Sequence, residues 1–417
     1  MSRRGLAIVI VNVVVLVVLA ELLGLAIYYF QNGALFYVHR KTYPTFPETQ
    51  SQTLTADRLH PYFGPTHVPG HPFGDGAATN NFGFVSPHDY PFTKRSDDEL
   101  IIGVFGGSVG VWFCQQGADR LTESLKRHET LRSRDLVVLC FSHEGYKQPQ
   151  QLQVLTYFLS IGQQFDLVLN IDGFNEVALS RLNDQRGLDI SMPSVTHIDP
   201  LINLVDQSTL TPEKLASLSA ISRDKERLNE LAGRLAHSRF ASEHFVLEQY
   251  FEIVSKRHLA ELFTFARLPS NPARSSLVYV TPKTRARDEP ALFDDIATNW
   301  TSASILMNAL LASRGARYFH VLQPNQYYTD RRFGPGEAKV AQSDTSPFRE
   351  SVEKGYPVLL ARSGSGVWEK NGVRFLDATR ILDDEPSPVY MDDCCHYTAL
   401  GNRLLADFIA ERIKRSL

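Results

Sequence analysis

Apolar positions along this chain fall into runs of two lengths. Five runs are short, apolar without alternation, and followed by turn residues: Leu100–Phe105, Leu136–Phe141, Asp166–Ile171, and the weaker Tyr318–Leu322 and Val373–Leu376. Continuous runs rich in β-branched residues suit strands buried on both faces, as in parallel sheets. Between them, Gln150–Leu159, Ser302–Ser313 and Leu400–Ile413 carry apolar residues at helical spacing, and Thr398 stands where the last helix would take its N-cap. Leu210–Leu268 mixes many charges with apolar positions such as Leu228, Leu231 and Leu235, and predicts further helix. Strands alternating with helices predict an α/β fold with a doubly wound parallel sheet.

One apolar run is much longer. Gly5 to Phe30 is interrupted only by Asn12 and Glu21. About 20 apolar residues suffice to cross a bilayer as a helix. The run exceeds a signal-peptide core and lacks a small-residue exit site, so it predicts an uncleaved single-pass anchor over residues 5–30. Arg3 and Arg4 favour a cytoplasmic N-terminus, although Arg40 and Lys41 beyond the run weigh against it. The rest of the chain would then lie outside the cytoplasm, in the periplasm if the source is bacterial. Glu21 either meets a partner helix or snorkels to the far interface. Residues 32–99, rich in Pro, Gly, Tyr and His, read as an extended lead segment packing onto the domain that follows. The expected organisation is therefore residues 1–31 as tip and anchor, 32–99 as stalk, and 100–417 as one domain. A helical insertion at 181–299 falls between the third and fourth strands and reads as a cap.

Composition narrows the classes. With 417 residues, 43% of them hydrophobic, the chain can bury a sizeable core. A formal charge of −3 gives no sign of nucleic-acid binding. The four cysteines, Cys114, Cys140, Cys394 and Cys395, show no metal-ligand spacing, and Cys394-Cys395-His396 is too compressed for a tetrahedral zinc site by itself. No metal or organic cofactor is expected. Cys140 reads as a buried strand residue, and an oxidising compartment would permit a bridge from Cys114 to Cys394 or Cys395.

Four short motifs carry the chemistry, and each is read as sitting just past a predicted strand. They are Gly106-Gly107-Ser108, Glu144-Gly145-Tyr146, Gly173-Phe174-Asn175-Glu176 and Asp393-Cys394-Cys395-His396. Loops at the carboxyl ends of parallel strands converge on one crevice. A serine hydroxyl needs a base, and His396 can supply it. Asp393 is chosen over its neighbour Asp392 to orient His396, because it leaves a two-residue gap. The developing oxyanion needs preorganised donors, for which the Ser108 N–H, the Gly145 N–H and the Asn175 amide are the candidates. His143 reads as a solvent-facing or hydrogen-bonded loop residue, with a substrate contact as the alternative. Glu144 and Glu176 read as solvated groups or contacts for sugar hydroxyls.

In these motifs the chain resembles the SGNH (GDSL-like) hydrolase family, whose four blocks are a Ser in a Gly-Asp-Ser-like turn, a Gly, a Gly-x-Asn-Asp/Glu and an Asp-x-x-His. Gly107 departs from the usual Asp, a variation familiar in membrane-anchored members. His60-Pro61-Tyr62-Phe63-Gly64 and Asn80-Asn81-Phe82-Gly83-Phe84 also look like such members. The resemblance covers roughly residues 58–180 and 300–417. It implies a flavodoxin-like sheet of order 2-1-3-4-5, Ser108 as nucleophile, the Asp393/His396 pair, and Gly145 and Asn175 as oxyanion donors. The activity implied is that of a membrane-anchored serine esterase acting on acyl esters, including O-acetyl groups of cell-envelope glycans. The same triad serves an O-acyltransferase, and the same fold can serve a non-catalytic envelope assembly or binding protein.

Overall fold

The computed structural model describes the chain apart from residues 1–2, 42, 44–56, 74–75, 207–209 and 270–277. Its contacts divide it into two compact units, Met1–Thr55 with Ile202–Leu277, and Ala56–Leu201 with Val278–Leu417. In chain order, α1 (Arg3–Asn32) is followed by two small antiparallel pairs. These are β1 (Asp57–His60) with β2 (Gly64–His67), and β3 (Pro72–Phe73) with β4 (Ala77–Ala78). Next come β5 (Glu99–Gly106), α2 (Ser108–Gln116), α3 (Ala118–Leu125), β6 (Asp135–Ser142), α4 (Gln150–Ser160), β7 (Leu167–Asp172), α5 (Phe174–Gln185) and α6 (Val195–Val205). Two long helices, α7 (Pro212–His237) and α8 (Ala241–Arg267), precede α9 (Glu289–Ala312) and β8 (Arg317–Leu322). The chain finishes through α10 (Pro335–Ala341), α11 (Arg349–Ser363), α12 (Val367–Lys370), β9 (Arg374–Asp377) and α13 (Ala399–Lys414).

All five predicted apolar runs are strands of one sheet, ordered β6-β5-β7-β8-β9 and parallel throughout. Gly106 pairs with Ser142 on one side and Ile171 on the other, so the loops after β5, β6 and β7 leave the sheet at one level. Both faces are covered, and Ile101, Val104, Phe105, Leu139, Phe141, Val168 and Ile171 are buried. Thr398 caps α13 as its position predicts, accepting from the Gly401 N–H.

The described part of residues 57–99 contributes aromatic side chains to the sheet core. Phe63, Phe84 and Tyr90 join the sheet core, and Tyr90 stacks on Phe141 at 4.4 Å. Aromatic residues of this size bury too much apolar area to stay extended in water.

In the other unit, α7 packs on α8 through Leu228, Leu231 and Leu235 against Leu247, Phe251 and Val254. α8 begins on α1. The Phe240 N-cap offers no side-chain acceptor, and Glu21 of α1 fills that role from outside the helix. Its carboxylate accepts from Ala241 N (2.7 Å), Ser242 N (3.1 Å) and Ser242 Oγ (2.7 Å), as well as from Tyr37 Oη (2.9 Å). Gly24 makes the approach possible, because a Cβ there would lie 2.5 Å from the Ser242 nitrogen. The helix that Glu21 meets is thus α8 of the same chain. Ile8–Asn32 of α1 is long and apolar enough to cross a membrane.

Candidate active site

Ser108 is the first residue of α2, immediately after the Gly106-Gly107 turn that ends β5. Its Oγ lies 2.7 Å from His396 Nε2. His396 comes from the loop before α13, and its Nδ1 hydrogen-bonds Asp392 Oδ2. Ser108, Asp392 and His396 are each half-buried, so the group opens to solvent.

The choice of Asp393 is therefore corrected to Asp392, and the reason lies in the backbone. Asp392 Oδ1 accepts from the N–H groups of Cys394 (2.9 Å), Cys395 (3.0 Å) and His396 (3.3 Å). That local side-chain-to-backbone turn carries the chain once around and returns His396 over Asp392, leaving Oδ2 for the imidazole. The Asp393 backbone carbonyl accepts from Tyr327 Oη (2.9 Å) and Ser346 Oγ (3.3 Å). Burial would raise the Asp392 pKa, but His396 and the N–H donors hold it below the ordinary carboxylate range. The turn is itself anchored. Asn325 and Gln326 donate to the Cys394 and Asp392 carbonyls, and the buried Glu337 carboxylate, paired with Arg331, accepts from Val389 N and Tyr390 N.

The structure also places Asn175 beside the serine. A Cβ on Gly107 would lie 2.1 Å from Asn175 Nδ2. The glycine that departs from the Gly-Asp-Ser pattern is thus the residue that admits the amide. Asn175 Nδ2 donates to the Tyr146 carbonyl at 2.8 Å, which fixes the amide and leaves its second N–H for another acceptor. Gly145, one residue before Tyr146, has φ +75°, and the His197 ring packs where its Cβ would stand. Glu176 is not solvated. It is buried, and its carboxylate accepts from Gly173 N (2.7 Å) and Gln148 N (2.9 Å), tying the Asn175 turn to the loop after β6. Burial pushes its pKa up to about 8.

Two features escape the sequence reading. Asp172, at the end of β7, takes hydrogen bonds from Asn170 Nδ2 (2.6 Å) and Trp300 Nε1 (2.8 Å), and bonds His320 Nε2 (2.7 Å), all fully buried beneath the Asn175 turn. The cysteines also pair differently. Cys114 of α2 bridges Cys140 of β6, with Cα atoms 6.0 Å apart, so the expected bridge to Cys394 or Cys395 is overturned. Cys394 and Cys395 are free thiols. Burial pushes the Cys395 thiol well above its ordinary pKa.

The arrangement has what acyl transfer requires: a serine hydroxyl against a histidine, a carboxylate on the far ring nitrogen, and an amide donor next to the serine.

No family profile and no curated protein matches the chain. Among solved structures it is similar to a protein from Bacteroides fragilis NCTC 9343 provisionally described as an acylhydrolase, with 10% identity and a TM-score of 0.35, covering 78% of this chain and 91% of that one. It is also similar to the lipase Lip_vut3 from a goat rumen metagenome, with 9% identity and a TM-score of 0.30, covering 75% and 97%. Likeness at this level assigns no function.

Proposed function

We propose that the chain is a membrane-anchored serine esterase of the SGNH type. The observation that carries this is the hydrogen-bonded series Ser108 Oγ, His396 Nε2, His396 Nδ1 and Asp392, next to the Asn175 amide. Ser108 Oγ attacks the acyl carbonyl while His396 Nε2 takes its proton, and Asp392 stabilises the imidazolium. The oxyanion is held by the Ser108 N–H, the Gly145 N–H and the Asn175 side chain. His396 returns the proton to the departing alkoxide, leaving an acyl-serine. A water deprotonated by His396 then attacks the acyl carbon, the Ser108 Oγ–acyl bond breaks as His396 returns the proton to Oγ, and the acid leaves. The observed strand order, which in sequence terms is second-first-third-fourth-fifth, supports the flavodoxin-like, SGNH-type reading.

The helix Ile8–Asn32 serves as the anchor, with the Arg3/Arg4 side cytoplasmic. A disulfide between Cys114 and Cys140 supports a catalytic unit in an oxidising compartment, the periplasm if the source is bacterial. Location and family resemblance together point to short acyl groups, such as O-acetyl esters of envelope glycans, as substrate.

The test uses the full-length chain in detergent with a fluorophosphonate probe and p-nitrophenyl acetate. Labelling and acetate release that vanish in Ser108→Ala support the reading. A folded wild type that neither labels nor turns over removes it. Addition of an acetylated glycan with and without free acceptor sugar then separates release to water from transfer to a hydroxyl.

A further inference from the structure

A second cluster of chemistry-bearing side chains is built from residues far apart in sequence. Asp57 lies on β1, His67 ends β2, and His143 follows β6. Their ligand atoms lie within 4.8 Å of one another. His67 Nδ1 is 2.7 Å from Asp57 Oδ1, and His143 Nε2 is 3.4 Å from the same oxygen.

The far nitrogen of each ring is committed. His67 Nε2 meets Glu144 Oε2 at 3.0 Å, and His143 Nδ1 meets the Glu144 carbonyl at 2.9 Å. Both partners accept only, so each neutral imidazole places its one N–H there. The inner nitrogen of each ring is then a lone pair, and both lone pairs face a carboxylate oxygen. Neither inner nitrogen has a hydrogen-bond partner of acceptable geometry, although His143 is 1% exposed and His67 8%. Three acceptors converging where both rings are buried and Asp57 is half-buried repel one another unless a cation, or an added proton on each ring, stands between them.

We propose that Asp57 Oδ1, His67 Nδ1 and His143 Nε2 bind a divalent first-row transition ion, with zinc the best fit. Two imidazoles and one carboxylate form a ligand set that zinc accepts, with a fourth position left for solvent. Glu144 supplies the outer carboxylate that orients a ligating histidine and fixes its tautomer. The ion clamps the β1–β2 hairpin to the His143-Glu144-Gly145 loop, and Tyr146, next along that loop, orients the Asn175 amide. The site is therefore a positioning element beside the serine group and takes no part in its bonds. Without metal, the contacts can be met by protons. Burial would lower the His67 pKa, but Asp57 and Glu144 override it and hold it up to about 9.

The full-length chain in detergent, stripped with chelator and dialysed against Zn²⁺ alone, is assayed by elemental mass spectrometry and titration calorimetry. One ion per chain is expected, with affinity reduced at least tenfold in Asp57→Asn and in His143→Gln and unchanged in a Cys394→Ser/Cys395→Ser double variant. Absence of stoichiometric metal overturns the proposal in favour of the protonated network. So does binding that survives both ligand variants or disappears with the cysteines. Should the ligand variants not fold by circular dichroism, the Co²⁺ form of wild type decides: visible d–d bands without thiolate charge-transfer absorption support the site, and a thiolate band overturns it.

Discussion

An aspartate orients a histidine only if its backbone leaves the carboxylate free to reach the ring. Asp392 satisfies this because three backbone N–H groups occupy one carboxylate oxygen and leave the other for His396 Nδ1. Asp392→Asn should therefore lower kcat for p-nitrophenyl acetate by roughly 10³–10⁴, the scale seen when a triad carboxylate is lost. Asp393→Asn should stay near wild type, and steady-state kinetics of the pair decides which aspartate acts. Gly107 makes a separate prediction. Gly107→Ala pushes against Asn175 Nδ2 and should cost turnover about 10²–10³-fold, as loss of one oxyanion donor does. Asn175→Ala should give a similar loss, and the double variant should cost little more than either alone, since both remove one group. Additive losses would separate the two residues.

At the scale of elements, two joints invite measurement. The Cys114–Cys140 bridge ties the helix that begins with Ser108 to the neighbouring strand β6. Cross-links of this kind typically contribute about 2–4 kcal/mol, so Cys140→Ser should lower stability by that order, and reductant should do the same to wild type. Thiol titration under denaturing, non-reducing conditions should count two free thiols, where four would contradict the pairing. Glu21 caps α8 from a different helix. Glu21→Ala should cost roughly 1–2 kcal/mol, the range of a lost N-cap, and should raise hydrogen exchange in the first turn of α8. Exchange unchanged at Ala241 and Ser242 would show that the cap is made by other groups.

For the whole molecule, stability depends on charges the fold buries. Lys147 is fully buried and donates to the Ile190 carbonyl, which Ser180 also bonds. Burial lowers its pKa from the ordinary 10.5 to about 8, with Glu176 and Asp189 opposing. The sign follows from proton counting. Between pH 8 and 10.5 the unfolded chain holds a proton that the folded chain has shed, so stability rises with pH across this window. Below pH 8 the cost of the buried ammonium is present in full, roughly 3 kcal/mol at most. Lys147→Met should therefore stabilise the protein more at pH 7 than at pH 10.5, by denaturant unfolding at the two values. An equal effect at both would mean the ammonium is not desolvated.

What the sequence determined by itself was whatever local pattern encodes. The five strands and the capped last helix were legible, and Ser108, His396 and Asn175 stood out as candidates, because burial on both faces and strand-end loops impose short-range patterns on the chain. Tertiary structure alone decided the rest. Asp392 replaced Asp393 because the direction of three backbone N–H groups cannot be read from residue spacing. Cys140 took Cys114 because β6 lies beside β5, a register that pairing sets. The aromatic residues of 57–99 joined the core because apolar area seeks any available face. Asp57, His67 and His143 met because a hairpin and a sheet loop fold against each other, bringing together residues whose separation along the chain carries no motif.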